Sequence, residues 1–368
     1  MNEEIFFNLV FISGILYLLL HLAIFIGIKL AKYFLQSDSQ LKNISVIIAA
    51  RNEEENISNC IKSILNQNYP KDKFEIIVVN DRSSDGTKKI VEEFKEIKLI
   101  NVDELPFGVF GKKNALRIGI EESKNEILVF TDADCLPENN WLRNISDLFD
   151  NKTGAVVGYS PYKFSITLPK LLNDFIEYEE LKTSLYSFGA IGLGNGFLAT
   201  GRNLSYRRNV FDEVDGFKNI NHSISGDDDL FLQQIQTKTN WRIKYMSDDN
   251  SFVFTNPPKD FKDFYTQRLR HLSASKHYSL FGKLFFGAIH LNSILILINL
   301  FLIPAFGILF LFLKIFVDLI FIESQKYNLK SKIQFFKSIY LEIFLVIYYF
   351  VFGVISIFKK PKWNLKTN

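Results

Sequence analysis

Two aspartates stand two residues apart at the end of an apolar run, in the segment EILVFTDADCL from Glu126 to Leu136. Carboxylates this close repel each other, so Asp132 and Asp134 predict a site where a cation or its ligand sits between them. Mg²⁺ and Mn²⁺ prefer such oxygen ligands and leave positions open for phosphate oxygens. A cation that bridges a diphosphate helps that group to leave, because it neutralises charge as the bond breaks. The pair therefore indicates a nucleotide diphosphate that carries a transferable group.

The elements around this pair alternate between strand and helix patterns. Short apolar runs predict strands at Ile44–Ala50, Phe74–Val79, Leu99–Val102 and Ile127–Phe130, and apolar residues recur at helical spacing between them. Such alternation predicts an α/β domain with a mostly parallel sheet that helices cover on both faces.

Acidic residues follow three of these strands. Glu53 comes after the first strand, Asp81 after the second, and Asp132 with Asp134 after the fourth. In an open α/β sheet, ligands bind beyond the carboxyl ends of the strands. The sequence therefore predicts that these side chains face one crevice, although each of them taken alone is equally compatible with a helix N-cap.

Seven motifs, in their order and spacing, resemble the membrane-bound family 2 glycosyltransferases, which have the GT-A fold. They cover roughly Ser45 to His277 and read VIIAARNEEENI, VVNDRSSDGT, GKKNAL, FTDADC, GNGFLATGRNLSYRR, GDDDLFL and QRLRH. The resemblance is to the ceramide glucosyltransferase-like and polysaccharide synthase-like group. It implies an α/β, Rossmann-like nucleotide-diphospho-sugar transferase domain flanked by transmembrane helices.

The resemblance also implies roles for the acidic residues and for a lysine. Glu53 and Asp81 match residues that contact the nucleoside, typically uridine, and Lys112 matches the lysine near the diphosphate. Asp132 and Asp134 match the metal-binding motif for Mg²⁺ or Mn²⁺. Within that motif Asp134 is the direct ligand, and Asp132 lies nearer the ribose or sugar. The alternative for Lys112 and its neighbour in the sequence is a solvated start of a helix.

The segment GDDDL, which ends at Leu230, resembles the family's acidic motif, in which one aspartate takes the proton from the acceptor hydroxyl. Alignment on Leu230 selects Asp227 as this base, whereas alignment on the acidic pair selects Asp228. Such a base must lie within hydrogen-bond reach of the proton that it removes. The alternative role is an acidic N-cap for a helix that begins near Leu230, which the helix dipole favours.

Gln267, Arg268 and Arg270 lie in QRLRH, which resembles the family's Q-x-x-R-W motif with His271 at the tryptophan position. In the family this motif lies on a helix at the membrane surface and helps to hold the donor diphosphate and the acceptor. Residues three apart share a helix face, and a guanidinium binds phosphate through two hydrogen bonds. The alternative is a basic helix that contacts anionic lipid.

Apolar runs near both ends of the chain predict membrane spans. The predicted spans are Ile5–Ile28, two crossings within Leu284–Ile322 that Pro304 and Gly307 separate, and Ile339–Phe358. The expected organisation is an N-terminal anchor at 1–32, a GT-A domain at 33–279, and a region at 280–368 with about three transmembrane or interfacial helices. Lys314 and Asp318, four apart near a span end, are expected to pair and to reach toward the membrane surface.

Lysine positions predict the orientation. Lys29 and Lys32 flank the first span and the N-terminus is acidic, so the positive-inside rule places the GT-A domain in the cytoplasm. One crossing cannot leave two later lysine clusters on the same side, and the side of the C-terminus stays open. These clusters are Lys326, Lys330, Lys332 and Lys337 before the last span, and Lys359, Lys360, Lys362 and Lys366 after it.

The composition argues against other function classes. The formal net charge is only +3, and the soluble part shows no basic stripe with interleaved aromatic residues, so nucleic acid is not an expected partner. Two cysteines and five scattered histidines give neither a disulfide framework nor a zinc site.

Together, the resemblance and the spans predict an inverting hexosyltransferase of the cell membrane. The expected partners are a nucleotide-sugar donor, most simply a UDP-sugar, and a lipid or glycan acceptor. Two alternatives stay open. One is a processive polysaccharide synthase, which needs a lined channel, and the other is a non-catalytic membrane protein that binds a nucleotide sugar.

Overall fold

The computed structural model describes residues 3–33, 40–105, 111–163, 168–223 and 225–358 of the 368-residue chain. The chain divides into two compact units. We call them the sheet unit, Ala31–Phe164 and Gly194–Pro257, and the helical unit, Met1–Leu30, Ser165–Leu193 and Pro258–Asn368. These bounds differ from the predicted domain at 33–279, because Ser165–Leu193 and the segment 258–279 group with the long helices.

A mixed sheet forms the centre of the sheet unit. The described strands, in chain order, are β1 Ile44–Ala50, β2 Phe74–Asp81, β3 Ile97–Val102, β4 Ile127–Asp132, β5 Leu136–Pro137, β6 Thr153–Gly158, β7 Leu204–Arg207, β8 Arg242–Met246 and β9 Val253–Phe254. Seven strands form one sheet in the order β3-β2-β1-β4-β7-β6-β8, and β5 pairs with β9. β7 runs antiparallel to β4 and β6, whereas the other pairs of the large sheet are parallel. The four predicted strands and the mostly parallel sheet are confirmed.

The described helices, also numbered in chain order, divide between the two units. Those of the helical unit are α1 Glu3–Tyr33, α6 Lys170–Gly192, α9 Phe261–Ser275, α10 Leu280–Leu302, α11 Pro304–Gln325 and α12 Phe335–Phe358. Those of the sheet unit are α2 Ile57–Leu65, α3 Thr87–Glu92, α4 Gly111–Glu121, α5 Trp141–Leu148, α7 Arg208–Glu213 and α8 Asp229–Lys238.

The packing of α2 shows why the sheet unit folds this way. Ile57, Cys60, Ile61 and Ile64 recur at the spacing of one helix face, and all four are buried. They share a hydrophobic core with β1 and β4. These two strands are apolar on both faces, as strands covered by helices on both sides are.

The strand order changes direction between β1 and β4. In register, Ile47 of β1 lies opposite Ile77 of β2 on one side and Phe130 of β4 on the other. The chain moves outward from β1 to β3 and then returns to the other side of β1. In open α/β sheets, the crevice at such a switch point binds ligands. Glu53 follows β1 and Asp132 ends β4, the two strands that border this crevice.

Within the described part of the chain, four helices are long and apolar enough to cross a membrane, which suggests membrane association. They are Glu4–Tyr33, Leu280–Leu302, Pro304–Leu329 and Phe335–Phe352. The break in the long predicted run falls where expected, because Pro304 starts α11, at a position where its missing N–H costs no helical hydrogen bond. The lysine cluster Lys359, Lys360, Lys362 and Lys366 lies outside the described residues.

α6 belongs to the helical unit although its sequence is rich in polar residues. It approaches α1 so closely that a Cβ atom on Gly27 would lie 2.0 Å from the carbonyl oxygen of Gly189. Glycine allows such contact between helices. Elsewhere on α6, Lys182 Nζ lies 2.9 Å from Asp318 Oδ1 of α11 and 2.6 Å from Glu342 Oε1 of α12.

The prediction that Lys314 and Asp318 reach toward the membrane surface is wrong. Their side chains are 2% and 0% exposed, and Lys314 Nζ lies 2.5 Å from Asp318 Oδ2 and 2.8 Å from Glu342 Oε2. With Lys182 they form what we call the ion-pair ring, in which each lysine contacts both carboxylates. Buried charges need such partners, and here the partners come from α6 and α12, far away in the sequence.

Candidate active site

Asp132 and Asp134 form an acidic pair at the carboxyl end of β4. Asp132 is the last residue of that strand. One carboxylate oxygen from each aspartate and Sγ of Cys135 all lie within 4.8 Å of one another. Burial, and then the charge of Asp132, raise the pKa of Asp134. A divalent cation would relieve this repulsion, so the pair fits Mg²⁺ or Mn²⁺ in charge and in ligand type.

Cys135 is the remaining candidate ligand, and its chemistry does not suit these ions. Burial, followed by the negative charges of Asp134 and Asp132, raises the pKa of its thiol well above the ordinary value. The neutral thiol donates to Asp134 Oδ1 at 3.4 Å. Because the thiolate is the ligand form of cysteine, the two aspartates are the candidate metal ligands.

Lys112 joins the acidic pair to the acidic loop, which we define as Gly226–Asp229. It lies in the first turn of α4, with Nζ 2.9 Å from Asp132 Oδ1 and 3.3 Å from Asp227 Oδ2. Burial opposes its charge, but Asp132, Asp227 and Asp228 together raise the pKa of Lys112. With its side chain 36% exposed, this lysine is a cation available to an anionic ligand.

The acidic loop begins with a backbone conformation that requires glycine. Gly226 has φ of +91°, and a Cβ atom there would lie 2.6 Å from side-chain atoms of Leu230. This turn directs the chain into α8, so that three consecutive aspartates lie at the helix start.

Within the acidic loop, Asp227 and Asp228 have different surroundings. Asp228 caps α8, accepting from the N–H of Asp229 at 2.7 Å through Oδ1 and from the N–H of Gly201 at 3.1 Å through Oδ2. Burial and the charge of Asp227 raise the pKa of Asp228, and Lys112 opposes the rise. The predicted N-cap is therefore Asp228, whereas Asp227 is the aspartate that contacts Lys112.

Glu53 lies at the same end of the sheet. Its Oε2 accepts from Asn56 Nδ2 at 2.8 Å. Burial raises the pKa of the Cys60 thiol, and the charges of Asp134, Asp132 and Glu53 raise it further. Three predicted site carboxylates therefore lie around one buried thiol.

Asp81, the last residue of β2, lies beside the start of α4. It is buried and accepts two hydrogen bonds from Arg82, at 2.7 Å from Nε and at 3.1 Å from Nη2. A Cβ atom on Gly111 would lie 2.5 Å from Asp81 Oδ2, so Asp81 is a close neighbour of the residue before Lys112. Its contact with a nucleoside stays a prediction.

Sequence reasoning missed Lys113 and Arg202. Lys113 is 2% exposed, which excludes the solvated alternative for this lysine. Arg202 donates to Ser160 Oγ at 2.7 Å and lies over the Tyr162 ring at 5.2 Å, and its charge opposes the rise in the pKa of Asp134. No spacing rule separates Lys113 from its neighbour, or Arg202 from the two arginines that follow in the same motif.

The QRLRH motif lies on α9 of the helical unit. Arg268 is buried, with Nη2 2.6 Å from Glu179 Oε2 of α6 and its guanidinium 5.1 Å from the ring centre of Phe264. Among the described residues, the buried Oε1 of Gln267 has no hydrogen-bond partner. Arg268 is thus used within the helical unit, and contacts of Gln267 and Arg270 with a donor stay a prediction.

Comparison with known proteins gives consistent results. Residues 45–215 match Glycosyl transferase family 2. The probable glycosyltransferase YdaM of Bacillus subtilis (strain 168) is 31% identical over 312 residues, which cover 82% of this chain and 70% of YdaM. Glycosyltransferase AglE of Haloferax volcanii is 34% identical over 195 residues, which cover 52% of this chain and 60% of AglE.

A solved structure shares the fold. The mannosyltransferase PcManGT from Pyrobaculum calidifontis, in complex with GDP-Man and Mn²⁺, matches with a TM-score of 0.58 at 19% identity, covering 95% of this chain and 99% of that chain. A shorter match is to poly-beta-1,6-N-acetyl-D-glucosamine synthase of Staphylococcus epidermidis, which is 36% identical over 121 residues that cover 32% of this chain and 29% of that protein. The extent of the match to YdaM, together with the GT-A-like sheet, shows that this chain is a nucleotide-sugar glycosyltransferase and belongs to glycosyl transferase family 2.

Proposed function

We propose that this protein moves one sugar from a nucleotide-diphosphate sugar to a hydroxyl group of a membrane lipid, with inversion at the anomeric carbon. The observation that carries the proposal is the series of contacts from Asp132 through Lys112 to Asp227. It brings a candidate metal pair, a cation for phosphate and a candidate base together at the carboxyl end of one sheet, where α/β folds bind ligands.

On the donor side, Asp134 and Asp132 would hold Mg²⁺ or Mn²⁺, and Lys112 would contact the diphosphate. The bound ion supplies charge neutralisation for the departing nucleoside diphosphate. Lys112 would add a second positive charge beside the acidic pair. Glu53 and Asp81 are the proposed contacts of the nucleoside, most simply uridine.

On the acceptor side, we assign the base to Asp227. Both oxygens of Asp228 already accept backbone N–H groups, so Asp228 fixes the loop. Asp227 would remove the acceptor proton while the acceptor oxygen bonds to the anomeric carbon. The bond from that carbon to phosphate breaks in the same displacement, and the nucleoside diphosphate leaves with the electron pair. A single displacement of this kind inverts the anomeric centre.

The apolar helices and the lysines beside the first of them support a lipid acceptor and a cytoplasmic sheet unit. Four of the described helices are long and apolar enough to cross a membrane, and an enzyme anchored by them would work beside the lipid surface. Lys29 and Lys32 at the end of α1 support a cytoplasmic sheet unit. Gln267 and Arg270 are the proposed contacts of α9 with the donor diphosphate or the acceptor.

The test is transfer to lipid by the full chain in detergent. The protein is incubated with Mn²⁺ or Mg²⁺, total membrane lipid and either UDP-glucose, UDP-N-acetylglucosamine or GDP-mannose, and the lipids are followed by mass spectrometry. We expect one new lipid, heavier by one sugar, whose formation stops in EDTA. A series of regular mass increments would identify a polysaccharide synthase instead. Donor binding without transfer to any lipid would favour a non-catalytic nucleotide-sugar binding protein.

A further inference from the structure

Lys113 is a buried cation that donates hydrogen bonds to backbone carbonyls of a segment far away in the sequence. Its Nζ donates to the carbonyl oxygens of Ile220 at 2.7 Å, Ser223 at 2.7 Å and Ser225 at 3.0 Å. An ammonium group carries three N–H donors, so one lysine can bridge several backbone carbonyls at once. Ile220, Ser223 and Ser225 are thereby tied to α4, more than a hundred residues earlier in the chain, and we call the stretch that carries them the anchored segment.

The charge state of Lys113 suits this contact at neutral pH. Burial lowers the pKa of Lys113 to about 8, and the charges of Asp227 and Asp228, from the segment before α8, oppose that shift. On its own helix the neighbouring charge is Lys112, and His222 lies in the anchored segment. The group is therefore protonated near pH 7 and donates all three hydrogen bonds.

The anchored segment leads directly into the acidic loop. Ser225 precedes Gly226, and Asp227 follows. On the other side of Asp227, Asp228 is fixed by its bonds to the N–H groups of Asp229 and Gly201. Asp227 thus lies between two fixed points, of which Lys113 provides the first and the α8 cap provides the second.

Successive residues of a helix point about 100° apart, and the two lysines of α4 use this difference. Lys112 contacts Asp132 and Asp227, whereas Lys113 grips the segment that carries Asp227. Both contacts start from one helical turn. The position of the acidic loop is therefore set by the same element that presents Lys112.

We propose that Lys113 is a positioning residue for transfer: by holding Ile220, Ser223 and Ser225 against α4, it keeps Asp227 at the distance from Lys112 that the reaction requires. This inference rests on the proposed function, in which Asp227 is the base. Lys113 acts through the loop and touches neither donor nor acceptor. Its removal is therefore expected to slow the chemical step without weakening donor binding.

The test compares Lys113→Met, which keeps the length of the side chain without its donors, with Lys113→Arg, which keeps a charge and donors. Lys95→Met, at an exposed position, is the matched control. Two readouts are needed on the full chain in detergent. The first is hydrogen exchange of peptides that cover 218–230, and the second is kcat and KM for the donor that gives transfer to membrane lipid.

We expect Lys113→Met to speed exchange in 218–230 alone and to lower kcat by about 10- to 100-fold, because a small misplacement of a reacting group costs that much. KM for the donor should stay within about 3-fold of the wild-type value, since loss of a contact made only in the transition state lowers kcat. Lys113→Arg should recover part of kcat, and Lys95→Met should match the wild type in both readouts.

Unchanged exchange in 218–230, or a rise in KM at normal kcat, would overturn the proposal. Normal kcat per folded molecule with a lower melting temperature would do the same, because it would reduce Lys113 to a purely structural role. If Lys113→Met does not fold, Lys113→Gln, which keeps two N–H donors, takes its place. If the wild type transfers no sugar at all, the proposed function fails, and exchange alone then decides whether Lys113 holds the loop.

Discussion

Two clusters of carboxylates and lysines in this chain differ in exposure. In the ion-pair ring of the helical unit, the side chains of Lys182, Lys314, Asp318 and Glu342 are at most 2% exposed. At the candidate active site, Asp132 and Lys112 are each 36% exposed. The ring is closed to solvent, whereas the site is open to it.

The clusters also differ in charge balance. The ring pairs two lysines with two carboxylates, and Tyr17 and Tyr178 donate further hydrogen bonds to Asp318 and Glu342. At the site, by contrast, burial and then the charge of a neighbouring aspartate raise the pKa of Asp134 and of Asp228. Negative charge there is therefore incompletely compensated.

This difference separates a structural from a functional role. Buried charges that are mutually paired hold elements together and have no need of a ligand. Partly exposed carboxylates whose repulsion a cation would relieve are the usual setting of a functional site. Whether charges are balanced by partners therefore says more about their role than their presence does. Each of the following predictions tests this difference between the ion-pair ring and the candidate active site.

The largest effect is expected from Asp134→Ala. Loss of the metal contact should lower the rate of transfer by about 10³-fold or more, because metal-based stabilisation of the departing diphosphate is worth several kcal/mol. Melting of the protein without added metal should stay close to that of the wild type, since the variant removes a repelled charge. The measurement is lipid glycosylation with saturating Mn²⁺, alongside thermal unfolding.

Asp72→Ala, at an exposed position outside the site, is the control and should keep full activity. Near-normal turnover by Asp134→Ala would remove the metal assignment. If Asp134→Ala is both inactive and unfolded, Asp134 is needed for folding, as the residues of the ion-pair ring are, and the site is then not distinguished from the ring by its role.

The ion-pair ring should respond in the opposite way. Asp318→Asn leaves Lys182 and Lys314 with too little negative charge, and breaking a buried pair costs about 3–5 kcal/mol. We expect a marked loss of thermal stability in detergent, while binding of Mn²⁺ to the folded fraction is unchanged. The double variant Lys314→Met with Asp318→Leu should lose less thermal stability than the sum of the losses of Lys314→Met and Asp318→Leu measured separately, because contacting residues couple. If the losses of stability add up, Lys314 and Asp318 do not stabilise each other, which would contradict the ion-pair ring.

These two clusters also show how far the sequence allows prediction. Apolar runs predict strands at Ile44–Ala50 and Ile127–Phe130, and in the structure the second of these extends to Asp132. Asp132 and Asp134 are predicted from their position at the end of that run. Period and position along one element are enough for those inferences. They predict the sheet, the apolar helices and the acidic residues at the strand ends, whereas Lys112 and the acidic loop are predicted from the resemblance to the family.

Of the ion-pair ring, only the pairing of Lys314 with Asp318 follows from spacing, and it is confirmed. The other members, Lys182 on α6 and Glu342 on α12, meet them only through tertiary packing. No spacing in the sequence predicts that Lys182 contacts Glu342. Lys113 was missed for a related reason. Its three acceptors are backbone carbonyls, which every sequence contains, so the partner residues leave no signal in side-chain type.

The smallest effect is expected in the pH dependence of stability at the site. The raised pKa of Asp134 means that the folded protein binds this proton more tightly than the unfolded chain does. The resulting stabilisation is full below the ordinary carboxyl pKa of about 3.9 and is lost as the pH rises through the raised value. In EDTA, Asp134→Asn should therefore melt above the wild type at pH 7 and lose this advantage toward pH 4, whereas Asp318→Asn should melt lower at both. An advantage that stays constant between these pH values would show that charge repulsion does not distinguish the site from the ring.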